Sequence, residues 1–480
     1  MRSVVISISN TTYCLELHLA VTERTIVTYN PKKITQMITK LSIASALLLA
    51  VFANSLNAQD WTQFLGPDRN SISAQKSILR SWPETGPQQL WAVNVGIGYG
   101  GPVVKAGKVY LLDRDDAVGD NLRCFDLATG KELWNVAYNA PGEVMFPGSR
   151  SVPAIDGNHI YSCGPYGDLY CIDINTHKTV WNKNVWTDFG GKQIPIWAIS
   201  QCPLVYGNLL IIASQAPEAG VVAYNKITGD MVWKTPNLGN ETYVSPSVVK
   251  IDGADHIVMV TSSTNTIGHP GAEKTPGNIT GIEPLTGKIL WNHAGWECHI
   301  SVPSAVDAGN NKILVVGGYE LGAMMIQVGK KADGSFETKE LFKTVEFGDQ
   351  TKTPLLYKGY FYAQYGTNNR RDGLVCMSMD GEIMWKTKRA PDFNKGSMIL
   401  ADGLILATDG AKNLYLIEPD PTAFKAIAKA ELLRLKSTGD ENSIANRIGG
   451  SIQNWGPMAL ADGKLLLRDQ SRLFCVKVAE

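Results

Sequence analysis

Residues 153–181 read PAIDGNHIYSCGPYGDLYCIDINTHKTVW. An apolar PAI leads into the Asp156-Gly157 turn, HIYSC alternates, and Gly164, Pro165 and Gly167 break the run. LYCIDI then alternates again, and the polar turn at 175–178 delivers TVW. Short alternating runs separated by turn residues are the pattern of a four-stranded antiparallel meander. Such a sheet exposes two edges and both faces, so it needs neighbours built the same way.

The neighbours are present. The same order of signals runs from Pro102 to Trp134, Pro203 to Trp233, Pro246 to Trp291, Pro303 to Phe342 and Pro354 to Trp385. Further units begin at Met398 and Pro457, which brings the count to eight. A period of roughly fifty residues belongs to propeller blades rather than to helical solenoids. The sequence therefore predicts an all-β, eight-bladed propeller of four-stranded antiparallel blades. The last unit has only three strand patterns, and LWAVNV at 90–95 supplies the fourth, closing the ring. The run TAFKAIAKAELLRLK at 422–436 has helical propensity, but it occupies the fourth-strand slot of blade seven and is predicted to hold at least a short strand.

Each unit ends with a mechanical device. Asp126 can accept hydrogen bonds from the turn after it, Gly130 permits a positive φ, and Trp134 offers a large plate to the next blade. Trp91, Trp181, Trp233, Trp291 and Trp385 hold the same position, and Phe342 replaces it in the fifth unit. The string Cys124-x-Asp126-x-x-Thr129-Gly130-Lys131-x-x-Trp134 resembles the tryptophan-docking motif of the pyrroloquinoline-quinone-like (PQQ-like) propeller repeat family, within the quinoprotein alcohol dehydrogenase-like superfamily. The resemblance covers about Trp61 to Val478. It implies an eight-bladed propeller, and in the catalytic members a quinone at the centre, a vicinal disulfide, a calcium ion and an Asp base. This sequence has no adjacent cysteine pair and no matched calcium and base constellation. The resemblance therefore points toward the non-catalytic propellers near the outer-membrane assembly scaffold. PQQ with calcium is the disfavoured expectation, and a PQQ-dependent alcohol dehydrogenase-like oxidoreductase is the alternative function.

Formal charge is zero, with 45 basic and 45 acidic residues, so nothing favours nucleic acid. Residues 1–36 match no blade and read as a mis-called extension. Residues 37–58 have a positive start, the apolar run LSIASALLLAVFA and small residues before Ala58, the pattern of a signal peptide. Residues 59–88 are rich in aromatic and turn residues and read as an arm over the propeller, which occupies 89–480. A periplasmic or secreted monomer without membrane insertion is expected.

The eight cysteines do not read as a framework, because Cys124, Cys171, Cys376 and Cys475 fall at one repeat position that elsewhere holds Ala223 or Gly281, a tight packing slot. Cys163 and Cys171 are the best disulfide candidates. The seven histidines lack zinc spacing. The acidic run 113–116 with Asp120 lacks the ligand and glycine of a calcium loop and is read as a solvated hairpin.

The approaches to the innermost strands carry the functional signal. An aromatic residue recurs there, at Tyr99, Phe146, Trp197, Tyr243, Trp296, Phe347, Phe393 and Trp455, accompanied by Arg150, Gln201, Glu297, His299, Asp349, Lys352, Lys395 and Asn454. In a propeller these approaches converge on one mouth of the central channel. The expected ligand site is Phe146, Arg150, Trp197, Gln201, Trp296, His299, Lys352, Asn454 and Trp455. Its partner is a small molecule, a glycan or a protein, and no catalytic or metal residue is expected.

Overall fold

The structure is a computed structural model. It describes residues 60–264, 275–366, 370–432 and 453–480, with the backbone of two short strands, Ser7–Ile8 and Thr11–Thr12. Apart from those two strands, the expected extension and signal peptide lie outside the described residues. The chain divides into Met1–Asn57 and Ala58–Glu480, and the second unit is the propeller.

Blades one to six occupy 103–137, 154–184, 204–234, 247–296, 306–344 and 355–386, each a four-stranded antiparallel sheet in chain order. Blade seven spans 398–431, and its fourth strand is Ala426–Glu431, so register overrode helix propensity as expected. Blade eight joins Ala459–Ala461, Lys464–Arg468 and Arg472–Lys477 to Gln89–Asn94. Phe474 pairs with Ala92 and Cys475 with Trp91, which closes the ring.

The packing slot has a direct cause. Cys124 faces Trp134 across the third and fourth strands, Cys171 faces Trp181, Ala223 faces Trp233, and Cys475 faces Trp91. Only a small side chain leaves room for the indole. The seven cysteines from Cys124 to Cys475 are free and buried. Cys163 and Cys171, the best disulfide candidates, are not bonded, because the register pairs Cys163 with Leu169 and Cys171 with Tyr161.

Blade docking follows one geometry with two departures. The Trp91 indole donates to Leu127 O of blade one (2.9 Å), Trp181 to Lys226 O (3.2 Å), Trp233 to Pro284 O (3.1 Å) and Trp385 to Asp420 O (2.8 Å). Each of the first three rings lies over a turn glycine of the next blade, where an added Cβ would sit 2.7 Å from Trp91 at Gly130 or Trp181 at Gly229, and 2.5 Å from Trp233 at Gly287. Phe342 lies over Gly381 in the same way. In blade two the turn glycine is replaced by His177, at φ 60°, and Trp134 stacks on its imidazole at 4.6 Å. Trp291 departs further. Its slot partner is Gly281, the indole turns inward over that glycine, and it donates to Nδ1 of His256 in its own blade at 2.9 Å.

The run at 113–120 is not a solvated hairpin. Arg114 and Asp120 are fully buried and paired at 3.1 Å, and the same guanidinium donates to the carbonyls of Ala140 and Gly142. The long hairpin folds over the blade-one to blade-two connection, which removes both charges from water and requires that they pair.

Residues 61–73 of the arm enter the propeller's channel. The innermost strand of every blade has one unpaired edge facing the axis, and such an edge is a template for another chain segment. Trp61 exchanges both backbone hydrogen bonds with Val104 of blade one, and Thr62 O accepts from Ile155 of blade two. Arg69 donates to Pro203 O and Pro246 O at the starts of blades three and four. Ile72–Ser73 then runs parallel to Leu400 and Ala401 as a fifth, inner strand of blade seven. Gln75 accepts from Gly463 of blade eight, and Leu79 N donates to Val478 O. The arm rises along blade one, turns at 65–71 and descends along blade seven, plugging the channel.

Two tryptophans that look alike in sequence should therefore differ in weight. Trp91→Ala removes a buried indole, its hydrogen bond and the ring closure, and is expected to cost about 3–5 kcal/mol in denaturant unfolding. Trp134→Ala removes a partly exposed ring with no indole hydrogen bond among the described residues and is expected to cost about half as much or less. Equal losses would show that closure carries no special load.

Candidate functional site

Above the plug lies a cavity of about 400 Å³, within the range that holds small-molecule ligands. Its wall is built by the approaches to the innermost strands of different blades, and its floor includes Phe64 from the arm. The inner strands are locked in ring order beneath it. Ser151 Oγ donates to Gln201 O, Cys202 N to Ser245 Oγ, and Ser304 Oγ to Ser245 O. This belt explains why residues far apart in sequence hold fixed positions around one opening.

Of the nine expected residues, Phe146, Arg150, Trp197, Lys352 and Trp455 line the cavity. His299 does not, but its ring packs 4.9 Å from Tyr319, which does. Gln201 is buried and spent on Thr242 O (2.8 Å) and Ser200 N (2.9 Å). Trp296 is buried between blades four and five with its indole on Ser301 Oγ. Asn454 is buried beside Trp455, and neither of its amide atoms has a partner among the described residues. The eight recurring aromatics divide: Tyr99, Phe146, Trp197, Tyr243 and Trp455 line the cavity, whereas Trp296, Phe347 and Phe393 are core.

The lining has two chemically distinct sides. On the aromatic side Tyr99 stacks on Trp455 at 5.7 Å, with Phe146 at 6.1 Å from Trp455 and the Tyr99 hydroxyl on Gln453 Oε1 (2.7 Å). Trp197 meets Tyr243 edge-on at 5.6 Å. On the cationic side are Lys352 and Lys395. Neither ammonium has a carboxylate partner among the described residues: Lys352 Nζ donates to Thr351 Oγ1 at 3.3 Å, and Lys395 Nζ sits 4.2 Å over the Trp455 ring. No carboxylate lines the cavity among the described residues.

Arg150 has another job. Its guanidinium donates to Gly148 O, to Phe146 O and to Met145 O, so it clamps the loop that presents Phe146. Phe146 and Lys395, with the lining residue Tyr319, adopt positive φ (54°, 61° and 56°), a strained backbone for such side chains that tends to occur at functional sites.

Burial sets the electrostatics. It lowers Lys352 to about 8, an effect that the field of Asp349 partly opposes and that of Lys395 reinforces, and it lowers Lys395 as well. Burial pushes Asp349 up to about 6, although its oxygens accept from the amides of Thr351, Lys352 and Gln364. Burial also lowers His299, which favours its neutral form. Sequence reasoning missed Phe64, since nothing in an irregular arm announces that it enters the channel. It also missed Tyr319, which sits in a hairpin rather than in an approach. A further omission is Arg468, fully buried, whose donations to Gly96 O and Gly100 O hold the loop carrying Tyr99.

The resemblance implies a quinone with calcium, and the residues present do not fit that arrangement. Among the described residues no group of three or more His, Cys, Asp or Glu side chains could hold a metal, and the seven cysteines from Cys124 to Cys475 are unpaired.

Lys352 supplies a stability test. The unfolded chain binds more protons than the folded one between about pH 8 and 10.5, so stability rises with pH through that window, and below it the folded state bears the full cost of a buried ammonium. Lys352→Met is expected to stabilise the protein by about 1–3 kcal/mol near pH 7, with the advantage fading toward pH 10.5. A difference that stays constant across the window would contradict this account of the site.

Comparisons with known proteins are consistent with this fold. Residues 118–332 match the family model described as outer membrane protein assembly factor BamB. The quinoprotein alcohol dehydrogenase PedH of Pseudomonas putida is 29% identical over 225 residues, which is 42% of this chain and 34% of that protein; the chain thus aligns with about a third of that relative. Among solved structures, BamB from Moraxella catarrhalis superposes with a TM-score of 0.52 at 12% identity, covering 82% of this chain and all of that one. A europium-containing methanol dehydrogenase superposes with a TM-score of 0.58 at 14% identity, over 85% of this chain and 89% of that one. At these identities the two structures share the fold.

Proposed function

We propose that this chain, a PQQ-like β-propeller, is an extracytoplasmic binding module whose plugged cup takes a small anion with a flat apolar face. The observation that carries the reading is the pairing of two ammoniums lacking carboxylate partners with a wall of aromatic rings in one cavity. Buried cations that make no ion pair among the described residues, with Asp349 acting on them only through its field, favour an incoming carboxylate or similar group, and charge-assisted hydrogen bonds are the strong ones. The rings of Tyr99, Phe146 and Trp455 favour a planar body beside that group. The plug makes the cup blind at its base, which suits a ligand that enters and leaves by one mouth. The signal-peptide pattern at 37–58 and the outer-membrane description of the matching family model support an extracytoplasmic location.

The second reading, an alcohol-oxidising quinoprotein, is favoured by the stretch shared with PedH. The donor set described above argues against it. The calcium that the resemblance implies would need a set of ligands that the described residues do not bring together.

The test uses indole-3-acetate and its neutral amide, followed by isothermal titration calorimetry. The acid is expected to bind saturably and at least about tenfold tighter than the amide, and Lys395→Met or Trp455→Ala should weaken it about tenfold or more with little change in melting temperature. Equal binding of acid and amide would overturn the anion reading. Alcohol-dependent dye reduction after loading with quinone and calcium would install the oxidoreductase in its place.

A further inference from the structure

The same cup holds a group that anion binding alone does not use. Lys352 and Lys395 line one cavity, each ammonium lacks a carboxylate partner among the described residues, and Lys352 Nζ donates to a neutral hydroxyl, Thr351 Oγ1 at 3.3 Å. Burial disfavours the charged form of each ammonium, the field of Asp349 opposes this at both, and the like charge of Lys395 adds to it at Lys352. Lys395 keeps a favourable contact for its charge in the face of Trp455 at 4.2 Å. Among the described residues Lys352 has no such ring contact. The division of labour is therefore unequal, with Lys395 as the resident cation and Lys352 as the amine.

Resting on the anion reading of the cup, we propose that Lys352 condenses with the carbonyl carbon of an oxo acid whose flat apolar part lies against Trp455 and whose carboxylate is held by Lys395. Burial draws the Lys352 ammonium down to about 8, so that a substantial fraction is neutral and nucleophilic in mildly alkaline water. The nitrogen lone pair adds to the carbonyl carbon, and the carbon–oxygen π pair moves to oxygen. The two nitrogen protons pass to that oxygen, the Thr351 hydroxyl being placed to relay them, and water departs to leave the imine. Nothing is oxidised or reduced, and the reverse addition of water regenerates both partners. Gln350 also lines the cavity, and its Oε1 has no partner among the described residues, leaving an acceptor free for the carbinolamine hydroxyl.

The experiment incubates the purified protein with phenylpyruvate and cyanoborohydride, which reduces an imine to a stable amine, and maps adducts by peptide mass spectrometry. Binding of 3-phenylpropionate, which has the ring and the carboxylate but no ketone, is followed in parallel by fluorescence. The expected result is saturable binding of 3-phenylpropionate and an adduct on Lys352 forming at least about tenfold faster than on any other amine. Lys352→Arg should abolish that adduct; if this variant does not fold, the peptide map of the unmodified sequence decides alone. Binding of 3-phenylpropionate without a Lys352-selective adduct overturns the imine and leaves the anion reading standing. Failure of both probes to bind overturns the anion reading and the imine with it.

Discussion

The structure depends on how a ring of sheets is made to close. A propeller blade cannot bury its faces alone, and its neighbours do so only if the last blade meets the first. Here the closure is the pairing of Gln89–Asn94 with Arg472–Lys477, reinforced where the Trp91 indole crosses to Leu127 O and lies over Gly130 of blade one. The strand pairing joins residues near the two ends of the propeller. The segment just before the closing strand then threads the channel, so ring closure and cup floor belong to one continuous stretch, 60–94. Loss of one should be felt by the other, because Trp61, Ile78 and Trp91 share a single core with the strands of blades one, seven and eight.

The cup gains its chemistry from that architecture. Cyclic repetition brings the approaches to the inner strands together, and the belt of serine, threonine and cysteine side chains fixes their heights. What they carry is set blade by blade. Aromatics from blades one, two, three, four and eight face lysines from blades six and seven, while Trp296, Phe347 and Phe393, at the approaches to blades five, six and seven, turn into the core. The pseudo-symmetric ring thus holds an asymmetric site, with both lysines on adjacent blades and one of them over the Trp455 ring.

Much of the fold was legible because it is local and repeated. The alternation in 153–181, the turn glycines and the tryptophan plates each occur several times, and the small slot of Cys124, Ala223 and Gly281 has its cause in the facing indole. The strand at Ala426–Glu431 shows repeat register outweighing intrinsic propensity. What could not be read was set by single long-range encounters. An irregular arm gives no sign that an unpaired inner edge will recruit it, so Phe64 and the Ile72–Ser73 strand were missed. Arg150 was expected at the ligand site, and it lines the cavity, but its loop folds back and engages its guanidinium on three carbonyls. Gln201 and Trp296 occupy the right approaches with side chains directed to their own blades' neighbours. Position in the repeat predicts the ring; only the rotamer decides whether a residue faces the cavity or the core.

The most direct measurement is a crystal structure of the protein with an aromatic carboxylate bound. The account predicts the carboxylate beside Lys352 and Lys395, the ring against Trp455, and the arm in the channel with Phe64 beneath the ligand. A ligand seated on the outer rim, or an arm lying outside an open channel, would contradict it.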